Sequence, residues 1–165
     1  LLKPIAGATQ TQLHEALLIF RAALHALDLD AIPLFEGNDA ALFIPFNDAP
    51  PYKPVRAWLN NLRAAAIVEH PQLLVSQAKP HEVHTAPRIE VTVSSNAPGL
   101  NSRLPYSLTG TPDLPMVTPF DWTELGTLRN GTFTAANAQD RLARGDLFAT
   151  LAAKLAHQRF DAVAK

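Results

Sequence analysis

The sequence predicts an α+β fold, a mixed and mostly antiparallel sheet flanked by helices. Three observations carry this reading. Helical periodicity occurs in three separate stretches, near residues 9–28, 55–68 and 146–160. Between the first two lies a pattern typical of a hairpin, over 31–46. Residues 88–94 alternate strictly between apolar and polar. Helices and strands thus intermix, yet the hairpin demands antiparallel pairing, which favours α+β or a split βαβ arrangement.

The elements follow in chain order. Leu13, Leu17, Phe20, Leu24 and Leu27 recur at three- and four-residue steps and give the 9–28 helix one apolar stripe, with Thr9 or Thr11 as its cap. His14, Glu15 and Arg21 lie off that stripe. Ile32–Phe35 and Ala41–Phe46 form the hairpin strands, and Glu36-Gly37-Asn38-Asp39 is turn chemistry, since Gly and Asn tolerate positive φ. Pro33 and Pro45 suggest edge or end positions. Pro54 suits a first helical turn, and Val55, Trp58, Leu59, Leu62 and Ala66 line one face of a helix that ends before Pro71. Residues 71–120 hold eight of the 14 prolines. Within them, Ile89, Val91 and Val93 face one way and Glu90, Thr92 and Ser94 the other, as in a half-buried strand. Tyr106–Thr109 and Met116–Thr118 are short strand candidates, and Asp146 can cap a last helix reaching about Phe160, with Leu147, Leu151 and Leu155 on one face.

Composition limits the function. The 165 residues fit one domain, 1–165, alone or within a longer protein. Hydrophobic residues make up 47 %, which excludes a disordered tail. The charged fraction is 18 %, below the roughly 25 % of an average domain, and suggests that part of the surface is covered. No apolar run approaches the roughly 20 residues that span a bilayer, and Leu1-Leu2-Lys3-Pro4 lacks a signal-peptide core, so the cytoplasm is the expected compartment. The absence of Cys excludes disulfides, thiolate nucleophiles and Cys-based zinc sites. A net charge of −1 means that any nucleic-acid contact needs a local patch.

Isolated motifs carry little chemistry. His81-Glu82-Val83-His84 brings two His within three residues, but Pro80 and Pro87 bracket it and no third ligand is evident, so solvated loop histidines are expected. Gly37-Asn38-Asp39 lacks the Gly-rich pattern of a phosphate loop. None of Ser94, Ser95, Ser102 or Ser107 lies in a Gly-x-Ser-x-Gly elbow. Trp122 reads as a packing aromatic. The polar strand face of Glu90, Thr92 and Ser94 is either a ligand-facing surface or a plain solvent face.

Longer stretches say more. Arg88-Ile-Glu-Val-Thr-Val-Ser-Ser-Asn96, Leu104-Pro-Tyr-Ser107, Pro112-Asp-Leu-Pro-Met-Val-Thr-Pro119, Asp121-Trp-Thr-Glu-Leu125 and the segment Phe133-Thr134 to Arg141-Leu-Ala-Arg-Gly-Asp146 together resemble the polymerase domain of bacterial ATP-dependent DNA ligase D. That family belongs to the archaeo-eukaryotic primase superfamily and serves non-homologous end joining. The resemblance implies a primase-polymerase (RRM-like) architecture, with the 31–46 hairpin, ending Ile44-Pro45-Phe46, and the flanking helices in the family's order. It also implies two-metal nucleotidyl transfer, in which carboxylates hold two cations. The family needs an Asp-x-Asp pair on the strand before the first helix, here Leu1–Gly7, and a third Asp on a later strand. Lys3, Ile5 and Thr92 stand at those positions. The Lys and His of the family's nucleotide loop become Asn38 and Ala41, and its later Arg pair becomes Thr109 and Thr111. Arg88 and Asn96 survive. One carboxylate, Glu90, cannot hold two cations, and Lys3 would repel them. The resemblance therefore implies a degenerate, N-terminally shortened, non-catalytic relative without a cofactor, binding DNA ends or a repair partner. Arg88, Asn96, Arg103, Arg129, Arg141 and Arg144 are the candidate DNA-phosphate contacts. Two alternatives stay open. An active Mg²⁺- or Mn²⁺-dependent nucleotidyltransferase would need Glu36, Asp39 and Glu90 to gather in space. A structural or protein-interaction module would fit the low charge and many prolines.

Overall fold

The computed structural model describes residues 1–77, 83–93, 104–110 and 113–163. His81, Glu82, Ser94, Asn96, Arg103 and Thr111 lie outside the described residues. Six strands form one sheet in the order β4-β5-β1-β3-β2-β6. They are β1 (Leu2–Ile5), β2 (Ile32–Glu36), β3 (Asp39–Phe43), β4 (Leu74–Ser76), β5 (Arg88–Val91) and β6 (Thr118–Pro119). All neighbours pair antiparallel except β4 and β5. The helices are α1 (Gln10–His25), α2 (Tyr52–Glu69), α3 (Ala138–Leu142) and α4 (Leu147–Lys154). The α+β expectation holds.

Each face of the sheet has its own cover. Alternation along the strands sends Leu2, Phe35, Ala40, Leu74, Ile89 and Val91 to one face. Leu13, Ala16, Leu17 and Phe20 of α1 and Ala66 of α2 pack onto it. Ile32 and Leu34 point to the opposite face, where Phe148, Leu151, Ala152 and Leu155 cover them. This second cover extends over β2 and β3. On β1 and β5 the same face carries Lys3, Ile5, Arg88 and Glu90, each at least partly open to solvent.

Local chemistry sets the element ends. The first strand stops at Ile5 rather than Gly7, because Ala6 and Gly7 both take positive φ, and Ala8 N–H donates to Ile5 O at 3.0 Å, closing a two-residue turn. Thr9 then caps α1 reciprocally with Gln12. The α1 helix ends at His25, earlier than the expected 28. Asp28 is left-handed and Leu29 N–H reaches back to Leu24 O at 3.0 Å, a 6→1 closing bond. Leu27 consequently leaves the apolar stripe and is exposed.

The hairpin differs from expectation in one consequential way. Glu36 pairs directly with Asp39, so the turn is only Gly37-Asn38 and β3 begins at Asp39 instead of Ala41. Gly37 supplies the positive φ at the first turn position. Pro33 is interior to the sheet, not at an edge: its missing N–H lies on the β6 side, just beyond the two residues through which β6 pairs. The last helix stops at Lys154 rather than Phe160, because the following backbone has other partners. Asp48 accepts from the Phe160 and Asp161 amides at 3.0 Å. Gln158 is buried and donates to Asp30 O and Pro45 O, both at 3.1 Å. Tyr106–Thr109 contributes a single bridge, Leu108 to Met116, and pairing with β2 falls on Thr118–Pro119.

Candidate functional site

Lys3, Ile5 and Thr92, the positions that the resemblance sets against the family's acids, lie on or just beyond two adjacent central strands. On β1, Lys3 pairs across to Glu90 and Ile5 to Arg88. The ladder continues past β5, where Leu1 and Thr92 exchange main-chain hydrogen bonds, each 3.0 Å long. On the other side of β1, Leu2 pairs with Ala40, which sets Lys3 opposite Asp39. One sheet face thus carries Asp39, Lys3 and Glu90 side by side, one from each of three neighbouring strands. Ile5 and Arg88 lie two residues along the strands on one side of this row, and Thr92 two residues along on the other.

The electrostatics follow from this order. Burial pushes the Asp39 carboxyl above its usual range; the Lys3 charge opposes that rise and the Glu90 charge adds to it. Thr92 was expected on the outward polar face, yet it is buried, 7 % exposed, and its Oγ1 has no hydrogen-bond partner among the described residues. Its main chain continues the ladder to Leu1, and the residue is one of those that line an apolar groove.

The residues do not fit a pair of divalent cations. The row offers two carboxylates on flanking strands, with an ammonium between them. Ile5 offers no donor, and the Thr92 hydroxyl is a buried oxygen with no partner among the described residues. Among the described residues no group of three or more His, Asp and Glu side chains is placed to hold a metal ion. Asp39 and Glu90 share one face, and Glu36, paired directly with Asp39 on β2, lies on it too, at the hairpin end. The nucleotide-loop segment is a tight hairpin with Asn38 exposed at the turn, and Ala41 packs beneath α4.

The candidate phosphate contacts separate by environment. Arg88 is half-buried on the same face as Glu90, and Arg144 is exposed just after α3. Arg129 bonds to the Gly126 and Leu128 carbonyls at 2.9 and 2.6 Å. Arg141 is engaged internally. It grips Glu124 in a bidentate pair at 2.7 and 3.0 Å, donates to Pro119 O at 2.7 Å and lies 5.1 Å from the Phe133 ring centroid. Its fork has little left for a phosphate, so it acts as an internal clamp rather than the phosphate contact expected. Asn96 and Arg103 lie outside the described residues. His84 bonds the Ser76 carbonyl at 3.0 Å, which is a loop role. Trp122 packs edge-on to Phe120 beneath Arg21, as expected of a packing aromatic.

A second feature was not anticipated. A groove of about 400 Å³ opens between β1, the end of β3, α1 and α2. It is lined by Leu24, Phe43, Phe46 and Leu62, with Arg63 and Thr92 among its polar residues. Its lining residues come from five separate stretches of chain, so no single periodicity announces it.

Comparison with known proteins agrees with this architecture. Among curated sequences none matches. The polymerase domain of Mycobacterium tuberculosis ligase D, solved in complex with DNA, superposes with a TM-score of 0.80 at 24 % identity over 92 % of this chain. The match takes in 53 % of that structure, so the chain spans about half its length. No helix among the described residues is long and apolar enough to cross a membrane. The model of the family described as LigD, primase-polymerase domain, matches residues 2–148, and the chain belongs to that family.

Proposed function

We propose that this chain is a non-catalytic primase-polymerase-type domain that binds DNA ends or a repair partner. The observation that carries the non-catalytic part is Lys3 between Asp39 and Glu90, with Ile5 and Thr92 at the other two acidic positions. Nucleotidyl transfer by two metals needs carboxylates that hold both cations, and a neighbouring ammonium opposes a divalent ion. DNA binding is supported by family membership, by the relative solved with DNA, and by Arg88 and Arg144 at partly or fully exposed positions.

Fluorescence anisotropy with a 5′-phosphorylated recessed-end DNA tests this, at low and moderate salt, with and without Mn²⁺, alongside primer extension. Binding that weakens with salt and ignores metal supports the proposal, because phosphate contacts release counterions. Templated extension of the primer would overturn the non-catalytic part. No binding at low salt would overturn the DNA part. The apolar groove then favours a second reading, a module that packs against another polypeptide.

A further inference from the structure

We propose that the apolar groove between the end of β3 and α2 is a docking site for an acidic, amphipathic polypeptide segment. Such a segment sets bulky apolar side chains against Phe43, Phe46 and Leu62 and carboxylates against Arg56 and Arg63. The inference rests on the partner half of the proposed function and names the site and the chemistry of that partner. DNA binding and catalysis do not enter it. The volume of the groove, about 400 Å³, lies within the range of binding pockets. Phe43 and Tyr52, both part of its lining, are exposed, so its apolar surface is open to solvent. Contiguous apolar surface rimmed by polar groups marks an interaction site.

The charge beside the groove decides which occupant fits. Tyr52, Leu59 and Arg63 of α2 line it. Arg56 stands four residues after Tyr52, three before Leu59 and seven before Arg63, so helical spacing puts it on the same side. Lys53 adds a third cation in the first turn, and the one acid of α2 is Glu69, its last residue. No acidic residue lines the groove. Asp48, between Phe46 and Pro50, is taken by the Phe160 and Asp161 amides. Among the described residues Arg56 and Arg63 have no hydrogen-bond or ion-pair partner. Seven residues of helix set these two positions about 10 Å apart along the axis. A single small carboxylate does not bridge both. A nucleic-acid backbone reaches both but brings no apolar group to fill the groove. A chain with spaced Leu or Phe side chains and acidic neighbours satisfies the two features at once.

The test selects peptides from a random phage-displayed library on the immobilised full chain. The recovered peptides are then titrated by fluorescence anisotropy against wild type, Arg56→Glu/Arg63→Glu and Phe43→Thr. They are expected to be acidic and to carry at least two bulky apolar side chains. Their affinity is expected to fall about tenfold in the charge-reversed variant, where attractive pairs become repulsive, and to fall in Phe43→Thr as well. Should the charge-reversed chain not fold, Arg56→Gln/Arg63→Gln carries the test, with a smaller loss in the same direction. Neutral or basic peptides overturn the inference. Affinity unchanged in either variant overturns this site but not the partner reading beneath it, whereas recovery of no peptide overturns both. Displacement of the peptide by an equal concentration of duplex DNA overturns the inference by giving the two cations to phosphates. A dimer seen in sedimentation and lost in both variants overturns it by seating a second copy in the groove.

Discussion

Arg141 ties α3 to the segment before it through Glu124 and the Pro119 carbonyl. A guanidinium fork suits phosphate and carboxylate alike. Here Glu124 takes it, and Glu124 also accepts from Asp121 N–H at 2.8 Å, so one side chain joins the short 3-10 helix Trp122–Thr127 to α3. The Arg141 side chain is 10 % exposed and Glu124 29 %, so the pair is screened less than a surface bridge. Removing Arg141 leaves Glu124 charged and poorly solvated. Arg141→Met is expected to cost about 3 kcal/mol at pH 7, the low end for a buried pair because Glu124 keeps some water. The Arg141 hydrogen bond, foremost, holds the Glu124 carboxyl below its usual range. Its folded-state pKa is therefore depressed, and its stabilisation is present above the unfolded value, about 4.3, and lost as pH falls through the folded value. Urea unfolding of both proteins from pH 7 to pH 3 checks this: the gap between them should narrow below about pH 4. A gap that stays constant would mean that packing on Phe133, not charge, carries the effect.

At the scale of elements, the turns decide which side chains meet. The Gly37-Asn38 turn has two residues, and that length sets Asp39 in the strand opposite Lys3. A four-residue turn over 36–39 would have left Asp39 in a loop and the face without its second acid. Sequence periodicity located both strands, because alternating burial is local, but not the register, because turn length depends on how Gly37 closes. The two positive-φ glycines that frame this part of the sheet differ in surroundings. An added Cβ at Gly7 meets nothing within 4 Å, while at Gly37 it lies 3.2 Å from Pro115 Cγ. Gly7→Ala is expected to cost about 1 kcal/mol from backbone strain alone. Gly37→Ala should cost more, about 2 kcal/mol, since the Pro115 ring must also give way. Denaturant midpoints for both variants settle the order, and equal losses would contradict the role given to Pro115. Other elements were illegible for related reasons. The strand β4 is three residues long and pairs in parallel with a partner 15 residues on, Leu74 with Ile89, so no local pattern marks it. The tail after Lys154 reads as helix by its leucine spacing, and tertiary partners on Asp48 and Asp30 override that preference.

For the whole molecule, charge is the property that limits what it can hold. A net charge of −1 gives no long-range attraction for a polyanion, so affinity for DNA must come from a few guanidiniums. With Arg141 engaged internally and Arg129 on backbone carbonyls, the candidates that remain are Arg88, Arg103 and Arg144. Each neutralised phosphate adds about 0.9 to the steepness of log K against log salt for duplex DNA. Three contacts therefore predict a slope no steeper than about −2.7, a shallow dependence. Arg88→Ala should make the slope shallower by about 1 and weaken binding to all sequences alike, because a phosphate contact carries no base information. Anisotropy titrations of a recessed-end DNA across a salt series measure both quantities. A wild-type slope near −6 would mean that Arg129 or the lysines also touch DNA. An unchanged slope in Arg88→Ala would remove Arg88 from the interface and move the contact surface away from the Asp39, Lys3 and Glu90 row.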